Sequence, residues 1–76
     1  MKELLTYIAR NLVDHPDSVA VTEYAGESET VLELRVAPED MGKVIGKQGR
    51  IAKAIRSVVK AAASKEDRKV IVDILQ

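Results

Sequence analysis

Four consecutive residues in the middle of the chain, Gly46, Lys47, Gln48 and Gly49, have the types and spacing needed to bind a phosphate. Two glycines three apart at the start of a helix let another backbone approach closely, because neither carries a side chain. The free N–H groups of the first helical turn favour an anionic oxygen. Lys47 in this segment and Arg50 directly after it supply positive charge. The segment therefore predicts a binding site for a phosphodiester backbone.

These glycines also have an interpretation that needs no ligand. Two glycines can simply join two helices tightly at low steric cost, and the pattern Gly-X-X-Gly is common by chance. The neighbouring residues favour a binding loop, because Val44 and Ile45 precede the segment and Ile51 lies two positions after the second glycine. Ile45 and Ile51 are expected to anchor the loop to the core and to leave some apolar surface as a floor for bases.

The chain offers few residues for catalysis or metal binding. It has no cysteine, and its single histidine is His15. Asp14, His15 and Asp17 would give a metal ion too few fixed ligands within one turn. The adjacent carboxylates Glu39 and Asp40 are sufficiently explained by the start of a helix, where they complement the positive end of the dipole. We expect no enzyme, no metal site and no cofactor.

A nucleotide-binding P-loop is excluded by spacing. That motif requires four residues between its glycines and Ser or Thr after its lysine. Three residues separate Gly42 from Gly46, and Gln48 follows Lys47. We expect neither nucleotide hydrolysis nor a small-molecule substrate.

Charge is segregated along the chain although its formal net charge is zero. Residues 1–40 hold nine acidic and three basic residues, whereas residues 41–65 hold seven basic and no acidic residues. Charges act mainly within a Debye length of about 8–10 Å, so a neutral protein can still present a basic surface. A solvated helix face would give the same pattern. The basic residues of the second segment are Lys43, Lys47, Arg50, Lys53, Arg56, Lys60 and Lys65.

Hydrophobic periodicity predicts the elements that would hold this loop. The predicted order is helix, strand, strand, short helix, long helix, strand. Pro38 suits the first turn of the short helix, and the turns are predicted at residues 25–29 and 65–69. In the same order, the six elements are predicted at residues 2–14, 19–24, 30–36, 39–45, 50–64 and 70–75.

This order predicts an α+β fold, a two-layer sandwich in which helices cover one face of a mixed three-stranded sheet. The first two strands should form an antiparallel hairpin, and the last should lie parallel to the second through a right-handed crossover. On the long helix, Arg50, Lys53, Arg56 and Lys60 should lie opposite the apolar stripe. The stripe comprises Ile51, Ile55, Val58, Val59 and Ala62.

Size and composition predict a single small folded domain over residues 1–76. Hydrophobic residues make up 46% and charged residues 32% of the chain, which is typical of a folded protein and not of a disordered one. Charges interrupt the N-terminal apolar residues, and no run approaches the roughly 20 apolar residues of a membrane span. We expect a cytoplasmic protein without a membrane partner.

The string Val-Ile-Gly-Lys-Gln-Gly-Arg-Ile, residues 44–51, resembles the signature of the KH domain, whose GXXG loop clamps about four nucleotides. The order of elements resembles the type II, prokaryotic arrangement. In length and in its opening helix, the chain is similar to the bacterial KhpA family of stand-alone KH proteins. The resemblance implies single-stranded RNA binding, a role as an RNA regulator or RNA chaperone, and a homodimer or a heterodimer with a second KH-domain protein of the KhpB type.

The resemblance also implies site residues, position by position. The strand at residues 30–36, with Leu34 and Val36, would form the far wall of the groove. The turn at residues 25–29 would be the family's variable loop, and its two glutamates would weaken binding by repelling phosphate. Useful affinity would then come from a second RNA-binding domain. The implied RNA-binding residues are Lys43, Ile45, Gly46, Lys47, Gln48, Gly49, Arg50, Ile51 and Lys53.

A rival hypothesis is a protein–protein module in which the basic stripe meets an acidic partner surface. Tyr7 and Tyr24, the only aromatic residues, would then be packing residues or part of a dimer interface. Ile71 and Leu75 should lie on the sheet face away from the helices and hint weakly at a contact surface. The hypotheses differ in one outcome, because a loop mutation should damage RNA binding and leave protein pairing intact.

Overall fold

The computed structural model describes residues 1–66 and 68–75, and their elements follow the predicted order within two residues at each boundary. Short 3-10 turns precede β1, α2, α3 and β3 in the chain. Residue 67, in the predicted turn at 65–69, and residue 76 lie outside the described residues. The helices and strands are α1 (Lys2–Leu12), β1 (Ala20–Ala25), β2 (Glu29–Arg35), α2 (Met41–Ile45), α3 (Arg50–Ala63) and β3 (Lys69–Leu75).

The three strands form one sheet in the order β1-β2-β3. β1 pairs antiparallel with β2, and β2 pairs parallel with β3, so the predicted hairpin and the predicted parallel pairing are both confirmed. β2 lies in the centre and has partners on both sides, whereas β1 and β3 are edge strands. The small α+β fold with a mixed three-stranded sheet is therefore as the sequence predicts.

The core lies between the inner face of the sheet and the helices. On β2 and just after it, Leu32, Leu34 and Val36 are buried, as their alternation with polar residues predicts. Helix α1 contributes Leu5 and Ala9 to the same cluster. The buried cluster comprises Leu5, Ala9, Val21, Leu32, Leu34, Val36, Val44, Ile55, Val59 and Val72.

The apolar stripe of α3 is only partly buried. Ile55 and Val59 are buried, but the side chain of Val58 is 49% exposed. The small residues Ala52 and Ala63 are also buried, so the buried face of α3 is centred near Val59. Val58 is consequently left at the margin of the stripe.

A buried carboxylate fixes the segment after α1 to the start of α2. Asp40 is 1% exposed, and its oxygens accept hydrogen bonds from the backbone N–H groups of Asp14 (3.2 Å) and His15 (2.9 Å). The exposed neighbour Glu39 lies 3.6 Å from Nε2 of His15. The polar residues of this region therefore have structural partners that account for their presence.

Within residues 1–66 and 68–75, no helix combines the length and apolar character required to cross a bilayer.

Candidate nucleic-acid interface

The GXXG loop, residues 46–49, has a backbone conformation that explains its two glycines. Gly46 has φ 75° and ψ 176°, a combination that is essentially restricted to glycine. Gly49 is left-handed at φ 74°, and Gln48 between them also has a positive φ of 58°. The N–H of Gly49 donates to the carbonyl oxygen of Gly46 at 3.2 Å. The chain therefore reverses tightly between α2 and α3.

Ile51 supports this loop from below. A Cβ atom placed on Gly46 would lie 2.5 Å from Cγ1 of Ile51, so the loop backbone rests directly on that side chain. Ile51 is half-buried and packs against the core, as its predicted role as an anchor requires. Ile45, on the other side of the loop, is 36% exposed and leaves apolar surface beside it.

The side chains of Lys47, Gln48 and Arg50 are exposed to solvent. Within the described part of the chain, neither Lys47 nor Arg50 forms an ion pair with a carboxylate. Lys43 differs, because its Nζ lies 3.5 Å from Oδ2 of Asp14. The loop cations are thus available to an incoming anion, whereas the charge of Lys43 is already partly compensated.

The start of α3 adds hydrogen-bond donors to these charges. Gly49 occupies the N-cap position, and no side chain caps the helix there. The N–H of Arg50 donates to the carbonyl oxygen of Lys47 in the preceding turn, so the donors left for an anion are the N–H groups that follow it in the first turn, at the positive end of the helix dipole. Together with Lys47 and Arg50, this turn can accept an oxyanion at the loop.

The side of α3 that faces β3 carries a residue absent from the predicted site. Nε of Arg56 donates to the carbonyl oxygen of Val72 on the edge strand at 3.1 Å. Lys53 precedes Arg56 by three residues and lies on the same side of the helix. The spacing of Lys53, Arg56 and Lys60 was the available signal in the sequence, although it did not indicate which strand these residues approach.

The predicted far wall of the groove is wrong. Leu34 is 0% and Val36 is 5% exposed, and β2 has its backbone paired on both sides. Side chains buried in the core cannot contact a nucleic acid. The accessible strand beside α3 is the edge strand β3, which parallel pairing places next to β2.

A separate apolar groove of about 510 Å³ runs between α1 and α3. Tyr7 is 68% and Val58 is 49% exposed along it. Arg50 and Ile51 line its end near the loop, so these two predicted site residues lie on the α1 side of α3. The apolar groove is lined by Leu4, Tyr7, Ile8, Leu12, Arg50, Ile51, Ala54, Ile55 and Val58.

The GXXG loop between a short and a long helix, set on a mixed three-stranded sheet, defines a KH domain. A sequence profile described as the KH domain of KhpA/KhpB matches residues 2–74. The chain belongs to the KhpA/KhpB family of KH domains.

Full-length relatives agree with this assignment. The chain is 67% identical to the RNA-binding protein KhpA of Clostridium acetobutylicum, over 99% of this chain and 100% of that protein. It is 49% identical to the RNA-binding protein KhpA of Listeria monocytogenes over the whole of both chains. It is 47% identical to that of Aquifex aeolicus, over 100% of this chain and 96% of that protein.

A solved structure shares the fold. The crystal structure of a variant of the Aquifex aeolicus protein Era superimposes with a TM-score of 0.68, over 96% of this chain and 28% of that one. The sequence identity is 21%, so this likeness concerns the fold alone.

Proposed function

We propose that this chain binds single-stranded RNA through the GXXG loop and carries out no chemistry itself. The observation that carries the proposal is the exposed loop itself, in which Gly46 and Gly49 have positive φ and Lys47 and Arg50 flank an uncapped helix start. The relatives that are named RNA-binding proteins support it. The loop suits a nucleic-acid backbone because it offers close approach, N–H donors and positive charge at one point.

In this mechanism the phosphate oxygens accept hydrogen bonds from the first turn of α3 while Lys47 and Arg50 neutralise their charge. Gln48 adds a polar contact, and Ile45 supports a base with apolar surface. Lys53 extends the positive field, to which Lys43 contributes less because Asp14 pairs with it. The nearest accessible wall is the edge strand β3, which offers backbone carbonyl groups and a single cation, Lys69, at its start.

The proposed biological role is RNA regulation or RNA chaperoning by a single cytoplasmic domain that acts with a second KH domain. One GXXG loop clamps only about four nucleotides. The exposed acids Glu27 and Glu29 lie at the β1–β2 turn and oppose phosphate there. A second copy, or a KH protein of the KhpB type, would raise affinity by linking two weak sites.

Salt dependence tests the electrostatic part of this proposal. We expect log K for an eight-residue oligouridylate to fall with log salt at a slope of about −2 to −3, since three to four phosphates would be neutralised at about 0.7 each. Fluorescence anisotropy measures the slope between about 25 and 200 mM salt, a range over which the effect of salt on affinity is large. Circular dichroism at both limits controls for folding. A slope near zero would contradict phosphate binding.

Protein pairing is a second candidate function, because the apolar groove exposes large side chains. Tyr7, Leu12 and Val58 are each more than one third exposed, an arrangement that a second copy of the chain could cover. The groove excludes Lys47 and Gln48, but it shares Arg50 and Ile51 with the proposed RNA site. Pairing through the groove would therefore leave Lys47 and Gln48 exposed and partly cover Arg50.

Val58→Lys tests pairing through the groove. We expect the substitution to dissociate a dimer, because a cation would be buried there without a partner. Sedimentation equilibrium measures the molecular mass, and Ser57→Lys, which adds the same charge at an exposed neighbour outside the groove, is the matched control. Pairing through this surface is refuted if the wild type is monomeric or if Val58→Lys has no effect.

A further inference from the structure

A cluster of polar side chains joins the segment after α1 to the segment that leads into the GXXG loop. The buried side chain of Asp40 accepts hydrogen bonds from the backbone N–H groups of Asp14 and His15. On the surface beside it, Lys43 contacts Asp14 at 3.5 Å and Glu39 contacts His15 at 3.6 Å. We call this cluster the polar clasp. It comprises Asp14, His15, Glu39, Asp40 and Lys43.

Asp40 is the member on which the polar clasp depends. Its side chain is 1% exposed, whereas the side chains of the two surface pairs are 44–71% exposed. Exposed ion pairs contribute little, because solvent and salt screen them. A buried acceptor of two N–H groups is costly to remove, because both donors then lose their partner.

Helix α2 is too short to hold its own position. It has five residues, and isolated helices shorter than about 12–15 residues are marginal in water. Val44 is fully buried and anchors the end of the helix in the core. Asp40 is the N-cap residue and anchors the start of the helix to the segment after α1. The orientation of α2 therefore depends on both contacts.

The GXXG loop continues directly from α2. The N–H of Gly46 donates to the carbonyl oxygen of Gly42 at 2.9 Å, so the first glycine of the loop belongs to the hydrogen bonding of the helix. Gly46 lies six residues after Asp40, a distance of about 9 Å along a helix. A tilt of α2 would consequently move the backbone that a phosphate must approach.

We propose that Asp40 is a positioning residue for RNA binding, which holds α2 in the orientation that presents the GXXG loop. This inference rests on the proposed function. Charge and position predict opposite effects of replacing Asp40. Removal of a carboxylate near a phosphate site strengthens binding by electrostatics. An unanchored α2 weakens binding, because the loop then has its binding conformation for only part of the time.

Asp40→Asn separates these two effects. The substitution keeps the shape of the side chain, but its NH2 group is a donor and cannot accept a backbone N–H. We expect affinity for an eight-residue oligouridylate to fall about threefold to tenfold, which corresponds to a binding conformation populated at about 10–30%. The log–log salt slope should not change, because the same phosphates are neutralised. Anisotropy measures both quantities at a temperature at which circular dichroism shows each variant to be folded.

Two control variants separate positioning from charge and from stability. Asp17→Asn makes the same chemical change on a fully exposed side chain after α1, and Val21→Ala destabilises the core from β1. Both should retain affinity within about twofold of the wild type. Equal or tighter binding by Asp40→Asn, or an equal loss in Val21→Ala, overturns the positioning role and leaves the loop proposal intact. If the wild type binds no RNA, the proposed function fails and the positioning role fails with it.

Amide hydrogen exchange of the wild type tests the same coupling without a substitution. Because coupling is reciprocal, RNA should stabilise the polar clasp by the factor by which the clasp favours RNA. With saturating oligouridylate, exchange at Asp14 and His15 should slow about threefold to tenfold. The amide of Leu5, which donates to Met1 in the first turn of α1, should be unaffected. No change at Asp14 and His15, or equal slowing at Leu5, overturns the proposal even where Asp40→Asn does not fold.

Discussion

Replacing Lys47 and Gln48 by aspartate is expected to weaken binding of single-stranded RNA at least about 100-fold, because two charge-assisted hydrogen bonds are lost at about 1.5–3 kcal/mol each and about 1.4 kcal/mol is a factor of ten. Lys47 and Gln48 are exposed, so the substitution should leave the core unchanged. Two carboxylates at an uncapped helix start would instead occupy the N–H donors that a phosphate needs. Anisotropy titration with an eight-residue oligouridylate measures the loss.

The matched control is Lys2→Asp with Asn11→Asp, which changes the net charge by the same amount on exposed positions of α1. It should retain most of the affinity, since these positions lie away from the loop. Thermal unfolding and sedimentation of both variants separate loss of binding from loss of structure or pairing. If the two variants lose affinity equally, net charge and not the loop governs binding.

The loop could be predicted because everything that defines it is local in sequence. Gly46 and Gly49 are placed between an amphipathic short helix and an amphipathic long one, and Ile51 follows at the spacing that puts it under the loop. The sheet topology could also be predicted, because a hairpin followed by a helical crossover leaves few alternative strand arrangements. The alternation of apolar and polar residues along β2 then predicted which of its side chains are buried.

Features that depend on how separate elements pack together could not be predicted from the sequence. The buried face of α3 includes Ala52 and Ala63 and leaves Val58 at its margin, because the small side chains of the alanines allow close contact. Arg68 and Lys69 meet Lys60 only because the parallel pairing of β3 returns the chain to the end of α3. The same pairing makes β3 the accessible strand and buries the residues of β2 that the family resemblance placed in the groove.

The structural role of Asp40 could not be predicted from the sequence either. Its position before a short helix predicts a favourable interaction with the helix dipole, which an exposed carboxylate would also make. The structure instead buries it against the backbone N–H groups of Asp14 and His15, 26 and 25 residues earlier in the chain. A hydrogen bond over that separation leaves no periodic signal in the sequence.

Gly46→Ala is expected to destabilise the fold by about 3 kcal/mol, a value in the lower half of the sum of backbone strain of roughly 1–3 kcal/mol and overpacking of roughly 1–3 kcal/mol. The new Cβ would lie 2.5 Å from Cγ1 of Ile51, and that side chain packs against the core and has little room to move. The φ of 75° adds strain whatever the space available. Urea unfolding measures the free energy, and a loss of this size lowers Tm by roughly 12–24 °C in a domain of this length.

Gly49→Ala is the matched control, because Gly49 has nearly the same φ of 74°, but a Cβ added there would meet no heavy atom within 4 Å. It should cost only about 1–2 kcal/mol, the penalty of a left-handed alanine. Ile51→Ala makes room beneath the loop, so the double substitution Gly46→Ala with Ile51→Ala should cost less than the sum of the two single ones. Equal losses at Gly46 and Gly49, together with additivity in the double variant, would show that Ile51 does not support the loop.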